Sequence, residues 1–220
     1  MESNTADILL NTIRTELYSA VVSDILDRHG YRHQVLPPYI RAMGNRREMV
    51  GRAYPVLVNE TFAMPKNPYF QLIETLDAIQ ENEVFITNHL SDRAAFWGEL
   101  LSNACASHRA AGAIVDGLVR DLKRIELLGF PVFGRGASPV DSLGRFEVLA
   151  NREPIECGGV HIVPGDLVIA DDDGVVVVPQ NVEDMVISEA LAKARGENAV
   201  RDGIRQGRSL RDLFDSYGVL

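Results

Sequence analysis

Residues 116–124, DGLVRDLKR, set an arginine directly beside an aspartate where an apolar run gives way to a predicted helix. In open α/β sheets, ligands collect at the carboxyl ends of strands, where the following helix presents free N–H groups. Four residues fall at such an end: Asp116, Gly117, Arg120 and Asp121. Arg120 could grip a carboxylate with its planar guanidinium, and Asp121 could hold a divalent cation or its waters. The alternative is that both are ordinary first-turn residues, since the helix dipole favours an acid there.

A second segment, WGELLSNA at 97–104, is expected to reach the same edge of the sheet. Gly98 opens a helix, and its missing side chain would let a ligand approach the backbone. Glu99 could face the same pocket, because the 20 residues between Glu99 and Arg120 match one helix plus one strand. The alternative is that Glu99 is a solvated acid beside core residues.

The periodicity of the chain predicts an α/β fold that positions these residues. Helices are predicted over 1–30, in two pieces, and over a C-terminal extension, 181–220. A helix over 94–112, a strand over 113–117, a helix over 119–129 and a strand over 130–136 form a βαβ pattern. That pattern predicts a parallel pair of strands. After residue 139 the period becomes two, and turns such as Asp173-Gly174 predict further strands. No repeat or linker divides the chain, so 1–220 is predicted to be a single domain.

Composition limits the partners and the location. The chain has 31 acidic and 22 basic residues and a formal net charge of -9, so we expect neither nucleic acid nor an anionic membrane as a partner. The N-terminus carries acids early, and no apolar run approaches the roughly 20 residues of a membrane span. We therefore expect a cytoplasmic protein. Cys105 and Cys157 lie in no metal-binding spacing and are expected to be buried free thiols.

Several segments together closely resemble the RraA-like aldolase family: WGELLSNACASHRAAGAIVDGLVRD, GFPVFGRG, CGGVHIVPGD and ADDDGVVVVP. The resemblance runs from about Ser23 to Pro179 and more loosely into both terminal helices. The family includes 4-hydroxy-4-methyl-2-oxoglutarate / 4-carboxy-4-hydroxy-2-oxoadipate aldolases and the RraA regulators of ribonuclease E. An acid, 20 residues and then Arg-Asp is the family's hallmark. Some members have aspartate where this chain has Glu99, whose arm is longer by one methylene.

The resemblance implies a swivelling β/β/α domain with mixed sheets, assembled into homotrimers or hexamers with active sites between subunits. It implies Mg²⁺ or Mn²⁺ at Asp121 and Arg120 as the clamp on a pyruvyl carboxylate. The implied further substrate ligands are amides of the segment Gly98, Glu99, Leu100 and Leu101. Residues 181–220 resemble the extra helix of the aldolases, in which an acid from a neighbouring subunit reaches the site. Glu197 is the candidate for that acid.

The implied reaction is cleavage of a 4-hydroxy-2-oxo acid, which requires stabilisation of the enolate of pyruvate. A lysine Schiff base or a metal can supply this. Lysine occurs only at 66, 123 and 193, and none lies in an apolar run that would lower its pKa. The metal route is therefore favoured, with a water oriented by Glu99 as the base. Oxaloacetate would decarboxylate through the same enolate, so this side activity is expected.

Two other functions are weighed against the aldolase. A non-catalytic regulator that binds a ribonuclease could retain Arg120 and Asp121 in a vestigial pocket. A methyltransferase is disfavoured, because the chain offers no glycine-rich strand-to-helix loop followed by an acid for the adenosyl ribose.

Overall fold

Runs of branched apolar residues build one mixed β-sheet, which is the frame of the fold. A computed structural model describes the backbone of residues 2–218 and the side chains of residues 7–218. In chain order the strands are β1 (Arg41–Ala42), β2 (Met49–Glu60), β3 (Glu83–Thr87), β4 (Ala95–Trp97), β5 (Gly112–Val119), β6 (Val132–Ala137), β7 (Phe146–Asn151), β8 (Ile155–Cys157), β9 (Val160–Ile162), β10 (Leu167–Ala170) and β11 (Val175–Val178). The sheet has the order β1-β6-β5-β3-β2-β10-β11, β4 pairs with β5 and β7 with β2, while β8 and β9 form a separate hairpin.

The centre of the sheet is parallel and its margins are antiparallel. Neighbours in the row β2, β3, β5 and β6 run parallel. The pairing of β5 with β6, which aligns Ala113 with Val132, confirms the predicted parallel pair. β10 and β11 form an antiparallel hairpin that extends the sheet beyond β2. The prediction of an α/β fold with a mixed sheet is therefore confirmed.

Helices flank this sheet and form both described ends of the chain. They are α1 (Glu2–Glu16), α2 (Ser19–Arg28), α3 (Phe70–Asp77), α4 (Glu99–Ser107), α5 (Leu122–Leu128), α6 (Glu183–Arg205) and α7 (Leu210–Tyr217), and a 3-10 turn spans Gln180–Val182. Helices α1 and α2 lie within the region 1–30, and α6 and α7 lie within the region 181–220, for which helices were expected. None of the helices described here combines the length and apolarity that a bilayer crossing requires.

Both faces of the central strands are buried, which explains why β5 reads as a nearly continuous apolar run. Alternate residues of a strand point to opposite faces. Val115 packs on one face with Phe85 and Trp97, whereas Ile114 packs on the other with Phe133. The terminal helices α1, α2 and α6 bury a third cluster against β10 and β11.

The predicted helix over 94–112 is wrong in its first part. Residues 95–97 form strand β4, which lies parallel to the carboxyl end of β5 with Ala95 opposite Leu118. The reason is that Phe96 and Trp97 are bulky aromatic residues that bury fully beside β5. The helix begins at Glu99, directly after the extended residue Gly98. This change brings Gly98 next to Arg120.

Candidate active site

A cavity of about 300 Å³ opens where β4 and β5 end. Its polar wall consists of Tyr69, Arg120, Asp121, Asp141 and Ser142, and its apolar wall of Leu72, Ile73, Leu76, Ala95, Phe96, Leu100 and Leu101, with Gly98 between them. The cavity thus combines one cation, two carboxylates and an apolar surface. Such a combination is typical of a site for a small organic anion.

The Arg120-Asp121 pair is held by the junction between β5 and α5. The amide of Arg120 donates to the carbonyl of Trp97 over 2.9 Å, which ties the pair to β4. Asp121 adopts a left-handed conformation with φ of 60° and precedes the first helical residue of α5. It is therefore the residue before the first turn, and the alternative of an ordinary first-turn acid does not hold for Asp121. Left-handed backbone is uncommon outside glycine, although aspartate tolerates it better than most residues, and such residues concentrate at functional sites.

Gly98 provides the space that the Asp121 carboxylate occupies. Oδ2 of Asp121 accepts a hydrogen bond from the amide of Glu99 at 3.3 Å and lies 3.6 Å from Nε of Arg120. A Cβ atom placed on Gly98 would lie 2.7 Å from that same oxygen. The φ of Gly98 is -163°, an extended conformation that any residue can adopt. Glycine is therefore required here because a side chain would leave no room for the Asp121 carboxylate. The predicted juxtaposition of Gly98 with Arg120 and Asp121 is therefore present.

Asp141 is a site residue that the sequence reasoning missed. Its Oδ1 lies 2.9 Å from NH1 of Arg120, and its Oδ2 accepts a hydrogen bond of 2.9 Å from the hydroxyl of Tyr69. The pKa of Tyr69 is raised, mainly by burial and secondly by the hydrogen bond to Asp141. The phenol therefore keeps its proton and donates a hydrogen bond to the Asp141 carboxylate. Asp141 follows β6, the parallel neighbour of β5. The carboxyl ends of parallel neighbours meet at one edge of a sheet, and that signal could have identified it.

Of the site residues predicted in α4, two line the cavity and one does not. Leu100 and Leu101 line the cavity in the first turn of the helix, where backbone amides lack intrahelical acceptors. Glu99 contributes its amide to Asp121, but it is not among the residues that line the cavity. Its carboxylate is thus near the site without forming its wall.

Glu197 does not line the cavity of its own protomer. Its carboxylate accepts a hydrogen bond from the hydroxyl of Tyr18 and lies 3.6 Å from Nζ of Lys193. Burial and the bond to Glu197 raise the pKa of Tyr18 to about 12. Glu197 is therefore held between α6 and the start of α2.

The prediction that Asp116 shares the end of the strand with Arg120 is wrong. β5 continues to Val119, so the Asp116 side chain lies inside the protein, fully buried. Its Oδ2 accepts from the amide of Gly158 at 3.0 Å and lies 3.3 Å from Nδ1 of His89. Its Oδ1 lies 3.3 Å from Nε of Arg135.

Gly117 and Arg135 also belong to the interior and not to the cavity. A Cβ atom on Gly117 would lie 3.1 Å from Cβ of Leu90, a tight contact in the interior. Arg135 bridges Asp116 and Asp92, with 2.9 Å between its NH2 and the Asp92 carboxylate. Arg135 therefore forms a structural ion pair.

Asp121 fits a hydrated hard cation better than a closed metal site. Within residues 7–218, no three His, Cys, Asp or Glu side chains converge as a metal-binding group. Mg²⁺ keeps several waters and is commonly held by one or two carboxylates plus its substrate. The Asp121 side chain is 41% exposed, so its carboxylate is open to such an ion. The donor set is oxygen only, which suits Mg²⁺ or Mn²⁺.

Known proteins are similar to this chain in sequence. DlpA of Legionella pneumophila is 27% identical over an alignment of 222 positions, which covers 99% of this chain and 35% of DlpA. A protein of Halalkalibacterium halodurans named "Putative 4-hydroxy-4-methyl-2-oxoglutarate aldolase" is 38% identical over 109 residues, which are 48% of this chain and 50% of that protein. The chain therefore spans about a third of the length of the first relative and half of the second.

A solved structure agrees over most of the chain. RraAS2 of Streptomyces coelicolor, an unusual member of the RNase ES inhibitor RraA protein family, superposes with a TM-score of 0.78 and 27% identity. The match covers 88% of this chain and 95% of RraAS2. The family model for RraA-like proteins, described as Aldolase/RraA, matches residues 19–177. By its sequence and its fold, the chain belongs to the RraA-like family.

Proposed function

We propose that the protein is a divalent-metal-dependent aldolase that cleaves a 4-hydroxy-2-oxo acid, such as 4-hydroxy-4-methyl-2-oxoglutarate, to pyruvate. The observation that supports this most is the placement of Arg120 beside Asp121 on the wall of one small cavity. In this arrangement, the Arg120 guanidinium and a metal ion at the exposed Asp121 carboxylate can bind the same end of a 2-oxo acid. The name of the Halalkalibacterium halodurans relative also favours an aldolase.

In this proposal each polar group of the site has one task. Arg120 binds the C1 carboxylate with its guanidinium, which fixes the 2-oxo group beside Asp121. Asp121 would hold Mg²⁺ or Mn²⁺, and the ion would supply Lewis-acid stabilisation of the charge that develops on the 2-oxo oxygen. The free amides of Leu100 and Leu101, at the start of α4, add donors beside that charge.

The proposed bond changes balance without an oxidant or reductant. A water oriented by Glu99 takes the proton of the 4-hydroxyl, the C3–C4 bond breaks, and its electron pair remains on C3 as the enolate of pyruvate. The C4 oxygen becomes the carbonyl of the second product, and C3 then takes up a proton. Decarboxylation of oxaloacetate gives the same enolate, so we propose it as a side activity.

A Schiff-base mechanism finds no support in the positions of the lysines. Lys123 pairs with Glu126, and Lys193 pairs with Asp24 and Glu197. Lys66 lines an adjoining cavity, and none of the three lines the cavity of Arg120. The proposal therefore stays with the metal route.

We further propose a homotrimer or hexamer in which Glu197 of a neighbouring subunit completes the site. This proposal rests on the family resemblance, and Glu197 is the candidate because it lies on the helical extension. The cytoplasmic location stays a prediction from the sequence.

The test is pyruvate release from three compounds: 4-hydroxy-4-methyl-2-oxoglutarate, oxaloacetate and the monocarboxylic 4-hydroxy-2-oxohexanoate. Each is assayed with Mg²⁺, with Mn²⁺ and with EDTA. We expect metal-dependent release that Asp121→Asn abolishes. The matched control Asp172→Asn removes an acid that pairs with Arg47 on the surface, and it should leave the rate unchanged. Absence of release from all three compounds under every metal condition would refute the aldolase.

The second candidate function is a non-catalytic regulator that binds a ribonuclease. The structural similarity to RraAS2 favours it. Inhibition of an endoribonuclease by the wild-type protein and equally by Asp121→Asn, together with no pyruvate release, would support the regulator in place of the enzyme.

A further inference from the structure

We infer that Asp141 and Tyr69 are positioning residues that orient the Arg120 guanidinium for the carboxylate of its substrate. They act through Arg120 and need not touch the substrate themselves. The inference rests on the proposed function, because it concerns how the 2-oxo acid is held. The contacts that carry it all lie within one protomer, whichever residues a neighbouring subunit adds to the cavity.

Three side chains of the cavity wall form a chain of polar contacts that ends at Arg120. The Tyr69 hydroxyl donates to Oδ2 of Asp141 over 2.9 Å, and Oδ1 of Asp141 lies 2.9 Å from NH1 of Arg120. The carboxylate thus uses one oxygen for each neighbour. Because the guanidinium is planar and its donors point in fixed directions, a partner at NH1 limits the rotation of the whole group.

The contacts of Arg120 leave part of its guanidinium for a ligand. Asp141 takes NH1, and the Asp121 carboxylate lies 3.6 Å from Nε. Among the described residues, NH2 of Arg120 has neither an ion-pair nor a hydrogen-bond partner. A guanidinium has five N–H donors, so a carboxylate can bind NH2 and one adjacent N–H as a bidentate pair while Asp141 keeps its contact.

Strand β4 fixes the backbone on both sides of the pair. The amide of Ala95 donates to the carbonyl of Val140 over 2.9 Å, which holds the residue before Asp141. The carbonyl of Trp97, two residues further along β4, accepts from the amide of Arg120 over 2.9 Å. The spacing between the two backbones is therefore set by one strand, and the ion pair forms within that fixed frame.

The turn that follows Asp141 is closed by Arg145. NH1 of Arg145 donates to the backbone carbonyl of Asp141 over 2.8 Å. The amide of Arg145 donates to the carbonyl of Ser142 over the same distance. With Val140 tied to β4 on the other side, Asp141 has a defined place from which to hold Arg120.

Tyr69 reaches Asp141 from an unfavourable backbone conformation. Its φ is 62°, in the left-handed region that a bulky side chain rarely adopts, and it immediately precedes α3. Among the described residues that line the cavity, Asp121 is the other non-glycine residue in this conformation. Such conformations persist where the surrounding structure holds them, and they concentrate at functional sites. The left-handed backbone at Tyr69 therefore supports a role for its hydroxyl contact with Asp141.

The opposite role for Asp141 would be that of a competitor. If Asp141 occupied the place of the substrate carboxylate on Arg120, its removal would tighten substrate binding. The Arg120 and Asp141 side chains are 35% and 37% exposed, so burial alone does not lock the pair. The positioning role is favoured because NH2 of Arg120 remains for the substrate, which then need not displace Asp141.

Calorimetric titration of the full-length protein with pyruvate, in the presence of Mg²⁺, distinguishes the two roles. Asp141→Ala removes the contact with Arg120, and we expect pyruvate to bind about ten-fold more weakly. Asp141→Asn removes the charge but keeps an acceptor for Arg120, so the dissociation constant should stay within about three-fold of wild type. Tighter binding in both variants would identify a competitor and overturn the inference, and so would unchanged binding in Asp141→Ala.

The control for both variants is Asp172→Asn, which removes an acid that pairs with Arg47 on the surface. It should keep the wild-type dissociation constant. Melting temperatures from circular dichroism establish that the variants are folded.

The variant Tyr69→Phe tests the outer member of the chain of contacts, and it also serves if Asp141→Ala does not fold. Phenylalanine keeps the ring and removes only the hydroxyl that holds Asp141. We expect pyruvate to bind about three-fold more weakly. Tyr39→Phe is the matched control, because Tyr39 is exposed and does not line the cavity. Wild-type affinity in Tyr69→Phe would overturn the role of Tyr69.

Turnover separates the inference from the proposed function. In pyruvate release from 4-hydroxy-4-methyl-2-oxoglutarate, we expect Asp141→Ala to raise KM about ten-fold and to lower kcat by less than about three-fold. The reason is that Arg120 binds the C1 carboxylate in the ground state and in the transition state alike. A merely structural role would lower kcat through loss of active protein and leave KM unchanged.

The outcomes for the inference and for the aldolase are distinct. If the wild type releases pyruvate but KM of Asp141→Ala is unchanged, the inference fails while the aldolase stands. If the wild type releases no pyruvate, the aldolase fails, and the dissociation constants for pyruvate alone decide the inference. A wild-type protein that binds no pyruvate would overturn the inference outright.

Discussion

Gly98 is the residue whose substitution tests the geometry of the site most directly. A Cβ there would lie 2.7 Å from Oδ2 of Asp121 and 3.1 Å from Cγ of Arg120. Gly98→Ala should therefore displace both side chains while the extended backbone accepts alanine. We expect kcat/KM for pyruvate release to fall by about ten-fold or more, since a displacement of about 1 Å can cost a hundred-fold.

The control for this prediction is Gly44→Ala. The nearest atom to a Cβ at Gly44 is 3.9 Å away, and the backbone there is not left-handed. It should leave both the melting temperature and kcat/KM near their wild-type values. A Gly98→Ala protein with full activity would mean that Asp121 and Arg120 do not act from their observed positions.

The sequence predicted those site residues whose positions depend only on neighbouring residues in the chain. Arg120, Asp121 and Gly98 were identified from their places at a strand end and a helix start. Asp141 was missed because its contact with Arg120 depends on how the segment after β6 returns across the site. Asp116 was misplaced because β5 extends two residues beyond the prediction, and its side chain lies within the strand.

Among the secondary-structure elements, the boundary between β4 and α4 shows why sequence periodicity failed. The pattern of 94–112 predicts one helix, yet residues 95–97 pair with β5. Pairing with a strand that is distant in sequence overrides local propensity when it buries residues as large as Phe96 and Trp97. The βαβ unit of β5, α5 and β6 was predicted correctly, because its short connections leave few alternatives.

The attachment of α6 to the sheet gives a prediction at the same scale. Glu183, in the first turn of α6, accepts from Arg52 of β2 with both oxygens, one at 2.8 Å. Glu183 is 10% exposed and Arg52 is 29% exposed. We expect Glu183→Gln to lower the free energy of unfolding by about 2 kcal/mol, less than for a fully buried pair, and the melting temperature by about 4–8 °C.

The comparison for that variant is Glu189→Gln in the same helix. Glu189 pairs with Arg28 where both side chains are well exposed, so its loss should cost less than about 1 kcal/mol. Thermal unfolding followed by circular dichroism measures both. Equal melting temperatures for the two variants would show that the Arg52 pair does not anchor α6.

For the molecule as a whole, the family resemblance predicted more of the fold than the sequence periodicity did. Periodicity and turn residues predicted a parallel pair of strands, further strands after residue 139 and terminal helices, but they did not give the order of the strands in the sheet. That order depends on pairings such as β2 with β10, whose residues Gly51 and Val168 are far apart in sequence. Family likeness supplies such long-range information, and the fold agrees with RraAS2 over most of the chain.

The assembly gives the last prediction, which concerns a site shared between subunits. If Glu197 of one subunit acts in the cavity of the next, Arg120→Met and Glu197→Gln proteins should each be inactive. Mixed, unfolded together and refolded, they should form oligomers in which some cavities combine an intact Arg120 with an intact neighbouring Glu197. Random assembly of a closed ring from equal parts restores about a quarter of the wild-type sites.

Pyruvate release from the mixture, set against each variant refolded alone, measures this restoration. The mass of the assembly from light scattering distinguishes a trimer from a hexamer in the same samples. Tyr18 holds Glu197 within its own protomer, so Tyr18→Phe should keep or raise the activity if the carboxylate must turn to a neighbour. If the oligomer has the expected mass but the mixture stays inactive, every essential group of the site lies within one chain. Glu197 would then be a structural partner of Tyr18 and Lys193.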